Sequence, residues 1–261
     1  MIAAITPLSY WSAVLLATGS CAALCAAARR HPGRWTADAA RIIGVVLAAD
    51  AITYTVALVA QGTWSARTSL PLALCNVAVV IASVACWWRA VALVELTYFW
   101  GLAGTVQGVI TPDLNVGFPH LVFFEYVAGH LGIVVAALFL VVGMRIVPRP
   151  GAVPRVFAIT VGYTAVVGLV DALTGANYMF LRRPPGEWTL LRLLGPWPWY
   201  LASGAVVALV LFTLLDAPFW PGRRRAASGS TGGGDDGSRR AAAPTATTSG
   251  GGSTLRRDPR R

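Results

Sequence analysis

The chain has 261 residues, of which 56% are hydrophobic and only 12% are charged, and its mean hydropathy is +0.63. A composition this apolar excludes an ordinary soluble domain and predicts an integral membrane protein. The net charge of +10 is carried by arginine with no lysine, which excludes a retinal Schiff base and a Walker-type phosphate loop, because both need a lysine amine.

Seven apolar stretches follow one another, each long enough to cross a hydrocarbon core of about 30 Å as a helix. The runs are continuous rather than alternating, and lipid offers no partner to open backbone groups. The sequence therefore predicts an all-α, polytopic membrane helix bundle of about seven transmembrane helices. The predicted spans are residues 5–28, 39–60, 70–88, 90–110, 121–144, 153–175 and 199–216.

The arginines between the spans predict the orientation. If the N-terminus lies outside, the inner segments hold 17 arginines and the outer segments hold 4. The C-terminal tail supplies 9 of the 17, and the remaining 8 still outnumber the 4. The positive-inside rule then favours an N-out, C-in protein of the cell membrane that crosses it several times.

Residues 222–261 differ in kind from the rest, since Gly, Ser, Thr, Ala and Arg dominate them. No apolar periodicity survives there, so the segment cannot bury enough surface to offset its chain entropy. We therefore expect a transmembrane helical domain over residues 1–221 and a disordered cytoplasmic tail over residues 222–261. The tail is either a dispensable extension or a contact for anionic lipid headgroups.

Polar residues inside the apolar spans mark the candidate site, because ionisable groups in membrane helices are costly and usually line a cavity. At about 1.5 Å per residue, Asp50 and His130 fall near the middle of the membrane, and Glu95 falls near its inner surface. The others fall in the outer half or at its rim and predict a polar pocket that opens outward or toward the outer leaflet. They are Cys75, Asn76, Gln107, Asp113, His120, Glu125, Asp171 and Asn177.

Taken one at a time, these residues also have structural explanations. Glu95 suits a helix-packing contact, and Asp113 lies in a turn where Asp commonly caps the backbone. Gln107 lies between Gly104 and Gly108, which form a small-xxx-small face suited to close helix packing. The cysteines and histidines are scattered, so the sequence predicts no metal site and no cofactor.

Several motifs, met in order along the chain, resemble the YwaF-like family of bacterial integral membrane proteins. They are residues 95–107, 111–114, 118–120, 129–130, 149–153, 175–178 and 194–200, and the resemblance runs from about residue 70 to 219. This family is remotely similar to an animal multi-span protein implicated in lysophospholipid acyl transfer through a cysteine. The resemblance implies Cys75 as nucleophile and His130 as base, with Ala73 where the pattern has a histidine.

Three classes of function follow. The first is an enzyme that acts on a membrane lipid, with Cys75 and His130 catalytic and with substrate-binding residues Asn76, Gln107, Asp113, His120, Glu125, Asp171 and Asn177. The second is a small-solute transporter with Asp50, Glu125, His130 and Asp171 along its path, and the third is a non-catalytic membrane scaffold. We favour the first, with membrane lipids as partners and no nucleic acid. Predicted depths of about 7 Å for Cys75 and about 15 Å for His130 leave a gap that helix tilt would have to close.

Overall fold

The computed structural model describes residues 7–110, 112, 117–184 and 193–223. Throughout these ranges the regular structure is helical and includes no strand, which confirms the predicted all-α bundle. The contacts divide the chain into Met1–Trp220 and Pro221–Arg261. The predicted disordered tail falls almost entirely on residues 224–261, outside the described residues, and stays a prediction.

Seven helical rods make up the described part of Met1–Trp220, one for each predicted span. The elements are α1 (Pro7–Arg30), α2 (Arg34–Ala60), α3 (Leu74–Trp88), α4 (Val91–Phe99), α5 (Val106–Ile110), α6 (Leu121–Leu138), α7 (Ala152–Thr174) and α8 (Trp199–Asp216). A π-helical turn, Trp100–Thr105, joins α4 to α5 in one broken rod, and a second, Phe139–Gly143, ends the α6 rod.

Five rods are long and apolar enough to cross a membrane by length and composition. The other two are the third rod, α3, with 15 residues, and the broken fourth rod. The predicted third span begins at residue 70, but α3 begins at Leu74. Ala73 is extended, and the backbone groups of Leu70 and Leu72 form hydrogen bonds with other parts of the protein. There the Leu70 amide donates to the Tyr178 hydroxyl, and the Leu72 carbonyl accepts from the Tyr163 hydroxyl.

The core lies among α2, α3, the broken rod and the α6 rod, with Leu47, Phe99, Ile133 and Phe139 buried at its centre. Close contacts between helices depend on glycine, which has no side chain. A Cβ built on Gly44 of α2 would lie 2.8 Å from the carbonyl oxygen of Ser83 in α3. Large apolar side chains elsewhere stay exposed on the outer faces of the rods. The protein is therefore a multi-pass membrane protein whose exposed apolar surface contacts lipid.

A buried carboxylate ties the broken rod to α7 at the arginine-rich end of the bundle. Glu95 is 2% exposed and accepts hydrogen bonds from Arg149 at 2.9, 3.0 and 3.1 Å and from Arg155 at 3.0 Å. The hydrogen bonds and the charge of Glu95 raise the pKa of Arg149 above its ordinary value. Glu95 therefore has the helix-packing role expected from the sequence.

The opposite end of the bundle carries Arg67 and Arg182. Arg67 donates to the carbonyl of Thr174 at 3.0 Å, and Arg182 donates to the carbonyls of Asp171 and Ala176 at 3.3 Å. We refer to this end as the predicted outer end, because the N-out, C-in orientation stays a prediction.

Candidate functional site

Two carboxylates interact across a groove between helices. Asp50 of α2 and Glu125 of α6 lie close enough to influence each other electrostatically. Two cavities of about 330 and 310 Å³ adjoin at these carboxylates and at Tyr54. We call the two cavities together the polar groove, whose polar lining includes Asp50, Thr53, Tyr54, Gln61, Ser69, Asn76, His120 and Glu125.

A glycine makes room for one of these carboxylates. A Cβ built on Gly129 of α6 would lie 3.0 Å from Oδ2 of Asp50, so a larger residue would push the carboxylate away. No arginine or histidine within the described ranges forms an ion pair with Asp50 or Glu125. Since an unpaired carboxylate in a membrane helix is costly, the pair is suited to hold a proton, a cation or a hydroxyl-bearing ligand.

Three of the predicted substrate-binding residues join this groove. Asn76 of α3 lines the cavity between α2 and α3, and Glu125 lines both cavities. His120 lines the cavity between α2 and α6 and caps α6, because its Nδ1 accepts a hydrogen bond from the Val122 amide at 3.3 Å. Because Nδ1 accepts that bond, Nε2 carries the proton of the neutral His120 ring.

Cys75 lies in the first turn of α3, directly after Leu74. The amide groups of a first turn have no partner within their own helix. Its two neighbours in sequence line different cavities, since Asn76 lines the polar groove and Leu74 lines a separate, smaller cavity. The side chain of Thr105, at the end of the π-helical turn, interacts with the Cys75 thiol.

His130 of α6 is held in a defined orientation. Its Nδ1 lies 2.9 Å from the carbonyl oxygen of Tyr126, and its ring stacks on the Tyr126 ring with centroids 4.0 Å apart. Because a carbonyl only accepts, Nδ1 carries the proton and Nε2 carries a lone pair. The Tyr126 hydroxyl donates to the carbonyl of Gly108 at 2.7 Å, which ties the stacked pair to α5.

The structure does not bring the predicted nucleophile and base into direct contact. Among the described residues, no hydrogen bond joins Cys75 to His130, and each packs on the broken rod instead. Cys75 interacts with Thr105, and His130 lies against Gly108. These two positions are three residues apart, a rise of about 4.5 Å along a helix. Gly108 is the nearer of the two to the predicted outer end of the rod, so the contacts reverse the order of the predicted depths, in which His130 lies deeper than Cys75.

Three further predicted residues, Gln107, Asp171 and Asn177, are not among those that line the groove. Gln107 lines the smaller cavity beside Leu74. Asp171 is 0% exposed and accepts from the Tyr178 amide at 2.9 Å. The Oδ1 atom of Asn177 accepts hydrogen bonds from the backbone amides of Arg182 at 3.0 Å and Arg183 at 3.1 Å. Asp171 and Asn177 thus hold the loop after α7, and their substrate-binding role stays a prediction. Asp113 lies outside the described residues.

Sequence reasoning missed several residues that shape these sites. Tyr54 follows Asp50 by four positions on α2, a spacing that places both on one helix face. That spacing could have identified Tyr54 as a residue of the groove. Thr105, Gly108 and Gly129 carry no such signal, because their importance depends on what packs against them. Within the described ranges, no group of three His, Cys, Asp or Glu side chains could hold a metal ion.

Comparison with known proteins places the chain in one group. The family model described as the TMEM164 family, a transmembrane protein family, matches residues 3–216. No curated protein and no solved structure matches the chain. The finer resemblance to the YwaF-like family, and the acyl transfer that it implies, stay predictions.

Proposed function

The chain belongs to the TMEM164 family, and we propose that it is a membrane-embedded enzyme that transfers an acyl group between membrane lipids through Cys75. The observation that carries the proposal is the position of this cysteine. Cys75 lies in the first turn of α3, next in sequence to Asn76, which lines the polar groove, and to Leu74, which lines the smaller and largely apolar cavity. An acyl ester needs both surroundings, since it joins a polar head to an apolar chain.

Cys75 differs from the other three cysteines in its position within its helix. A helix N-terminus stabilises a thiolate, and its free amide groups are donors for the oxyanion that forms during acyl transfer. Cys21 and Cys25 are buried in the body of α1, and Cys86 is buried near the end of α3. Those three thiols have neither feature and serve as internal controls.

The proposed reaction has two balanced steps. In the first, the Cys75 thiol loses its proton and its sulfur attacks the ester carbonyl of a donor lipid; a C–S bond forms, the ester C–O bond breaks, and the proton that left the thiol passes to the departing alkoxide. In the second, a hydroxyl of an acceptor lysolipid attacks the thioester, a C–O bond forms, the C–S bond breaks, and the hydroxyl proton returns to the thiol. No oxidant or reductant is consumed.

His130 would serve the second step as general base. Its Nε2 lone pair is available because Nδ1 donates to the Tyr126 carbonyl, and neutral imidazole is a suitable base near neutral pH. The separation between His130 and Cys75 supports this role, since an acceptor hydroxyl must fit between the base and the thioester. The polar groove beside them, with Asp50 and Glu125, would bind the glycerol hydroxyls and head group of the lipid.

The test uses the purified full chain in proteoliposomes with a donor phospholipid carrying an isotope-labelled acyl chain and an unlabelled lysolipid acceptor. We expect a labelled, hydroxylamine-sensitive thioester on Cys75 and labelled acceptor product. Cys75→Ser should abolish the thioester, and His130→Gln should slow transfer by about 10²–10⁴-fold, as for loss of a general base. Cys86→Ala, in the same helix, is the matched control and should retain both signals.

Product formation that survives Cys75→Ser would refute the cysteine mechanism. If no cysteine becomes acylated and no labelled product forms with folded wild-type protein, the transporter and scaffold alternatives would be favoured. Uptake of a labelled cation that depends on Asp50 and Glu125 would then distinguish those two alternatives from each other.

A further inference from the structure

A small cavity, separate from the polar groove, begins at Leu74, the residue before Cys75. It measures about 160 Å³ and extends from Leu74 at the start of α3, past the π-helical turn, to α7 and α8. We call it the side cavity, and its main walls are Leu74, Trp100, Gly104, Gly204, Leu211 and Phe212. Because Leu74 directly precedes Cys75, the side cavity begins one residue from the proposed nucleophile.

The polar groups that the π-helical turn and α7 contribute to the side cavity are hydrogen-bonded within the protein and need no ligand partner. The Trp100 indole donates to the Thr160 hydroxyl at 2.8 Å, and that hydroxyl donates to the Val156 carbonyl at 2.7 Å. Both polar groups are thus satisfied within the protein. Gln107 is the remaining polar residue of the lining, and the other walls are apolar. Largely apolar walls bind apolar ligands, as engineered apolar cavities of roughly 150 Å³ bind a six-carbon ring.

Two glycines on facing elements keep the space open. A Cβ built on Gly204 of α8 would have no heavy atom within 4 Å, so a larger side chain there would enter free space. A Cβ built on Gly104 would lie 3.0 Å from Cδ2 of Leu74. Gly204 is therefore the position at which the side cavity can be filled without a backbone clash.

We infer that the side cavity binds the carbonyl-proximal segment of the acyl chain carried by Cys75, and that Gly204 determines whether a long chain fits. This rests on the proposed function of Cys75. A cavity of about 160 Å³ holds roughly six carbons, by comparison with the ring-binding cavity. The exposed residue Val207 also lines the cavity. The rest of the acyl chain would pass into the bilayer at this position.

In the experiment, purified protein in proteoliposomes receives equal amounts of butyryl and palmitoyl phospholipid donors. Mass spectrometry then measures which acyl group Cys75 carries. Gly204→Leu should lower the palmitoyl-to-butyryl ratio at least about tenfold, the discrimination expected when a pocket excludes one or a few carbons. Gly204→Val should shift the ratio in the same direction by less. Gly162→Leu is the matched control, because Gly162 in α7 is exposed and also has nothing within 4 Å of its built Cβ.

Each outcome decides one of the two proposals. An unchanged ratio in both folded Gly204 variants, equal to that of Gly162→Leu, would overturn the side-cavity inference and leave acyl transfer intact. Absence of any acyl group on Cys75 in wild-type protein would overturn both. If Gly204→Leu does not fold, as judged by gel filtration, the ratio in Gly204→Val decides.

Discussion

Gly108→Ala tests the role of His130 without changing any reacting group. A Cβ at this position would lie 2.8 Å from Cδ2 and 3.0 Å from Nε2 of His130, and 3.2 Å from the Tyr126 hydroxyl. Carbon atoms in contact are normally about 3.5–4.0 Å apart, so the imidazole must move by about 0.7 Å or more. The ring cannot simply rotate, because it is stacked on Tyr126 and bonded to the Tyr126 carbonyl.

The expected consequence is a loss of transfer rate rather than of fold. A misplacement of about 1 Å in a catalytic group costs about 10²-fold, so a shift of about 0.7 Å should slow acyl transfer by about tenfold or more. The proteoliposome assay with labelled donor measures this rate. Gly162→Ala, in a helix with open space around the glycine, is the control. A folded Gly108→Ala protein that transfers acyl groups within about twofold of wild type would refute the general-base role of His130.

Three further predictions concern the bundle itself. Gly44→Ala should lower the free energy of unfolding by about 1–3 kcal/mol, because its Cβ would meet a backbone carbonyl at 2.8 Å; denaturation in mixed micelles should show no such loss for Gly162→Ala. Glu95→Gln should lower the Tm more than Asp38→Asn does, because the first carboxylate is buried between two arginines and the second forms an exposed pair of little net effect. A cytoplasm-active reporter fused after Phe219 should be active; silence there, with activity of an externally active reporter, would reverse the predicted orientation.

Much of the architecture follows from local sequence. The last rod, α8, has the predicted bounds of 199–216, and the first helix differs from its predicted bounds by two residues at each end. Such agreement is expected because the length of an apolar run is a local property that the bilayer thickness selects. The two π-helical turns were not predicted, since they arise where a rod adjusts to its neighbours. Gly101 illustrates this, with its built Cβ only 2.9 Å from Ile133 of α6.

The composition of the candidate site was only partly predictable. Sequence reasoning identified Glu125, His120 and Asn76 as pocket residues, and the structure groups them with Asp50 in one groove. It could not separate them from Asp171, which instead holds the loop after its own helix.

The sequence by itself determined which stretches form apolar rods and how many rods there are, because these quantities depend on one run at a time. Only the tertiary structure decided which polar groups share a cavity. A membrane helix is apolar toward both lipid and protein, so its sequence carries little information about its rotation. That rotation is set by contacts between rods, such as Gly129 against Asp50 and Gly108 against His130. In the same way, Cys75 contacts Thr105 and His130 contacts Gly108, two positions three residues apart on the broken rod, without contacting each other.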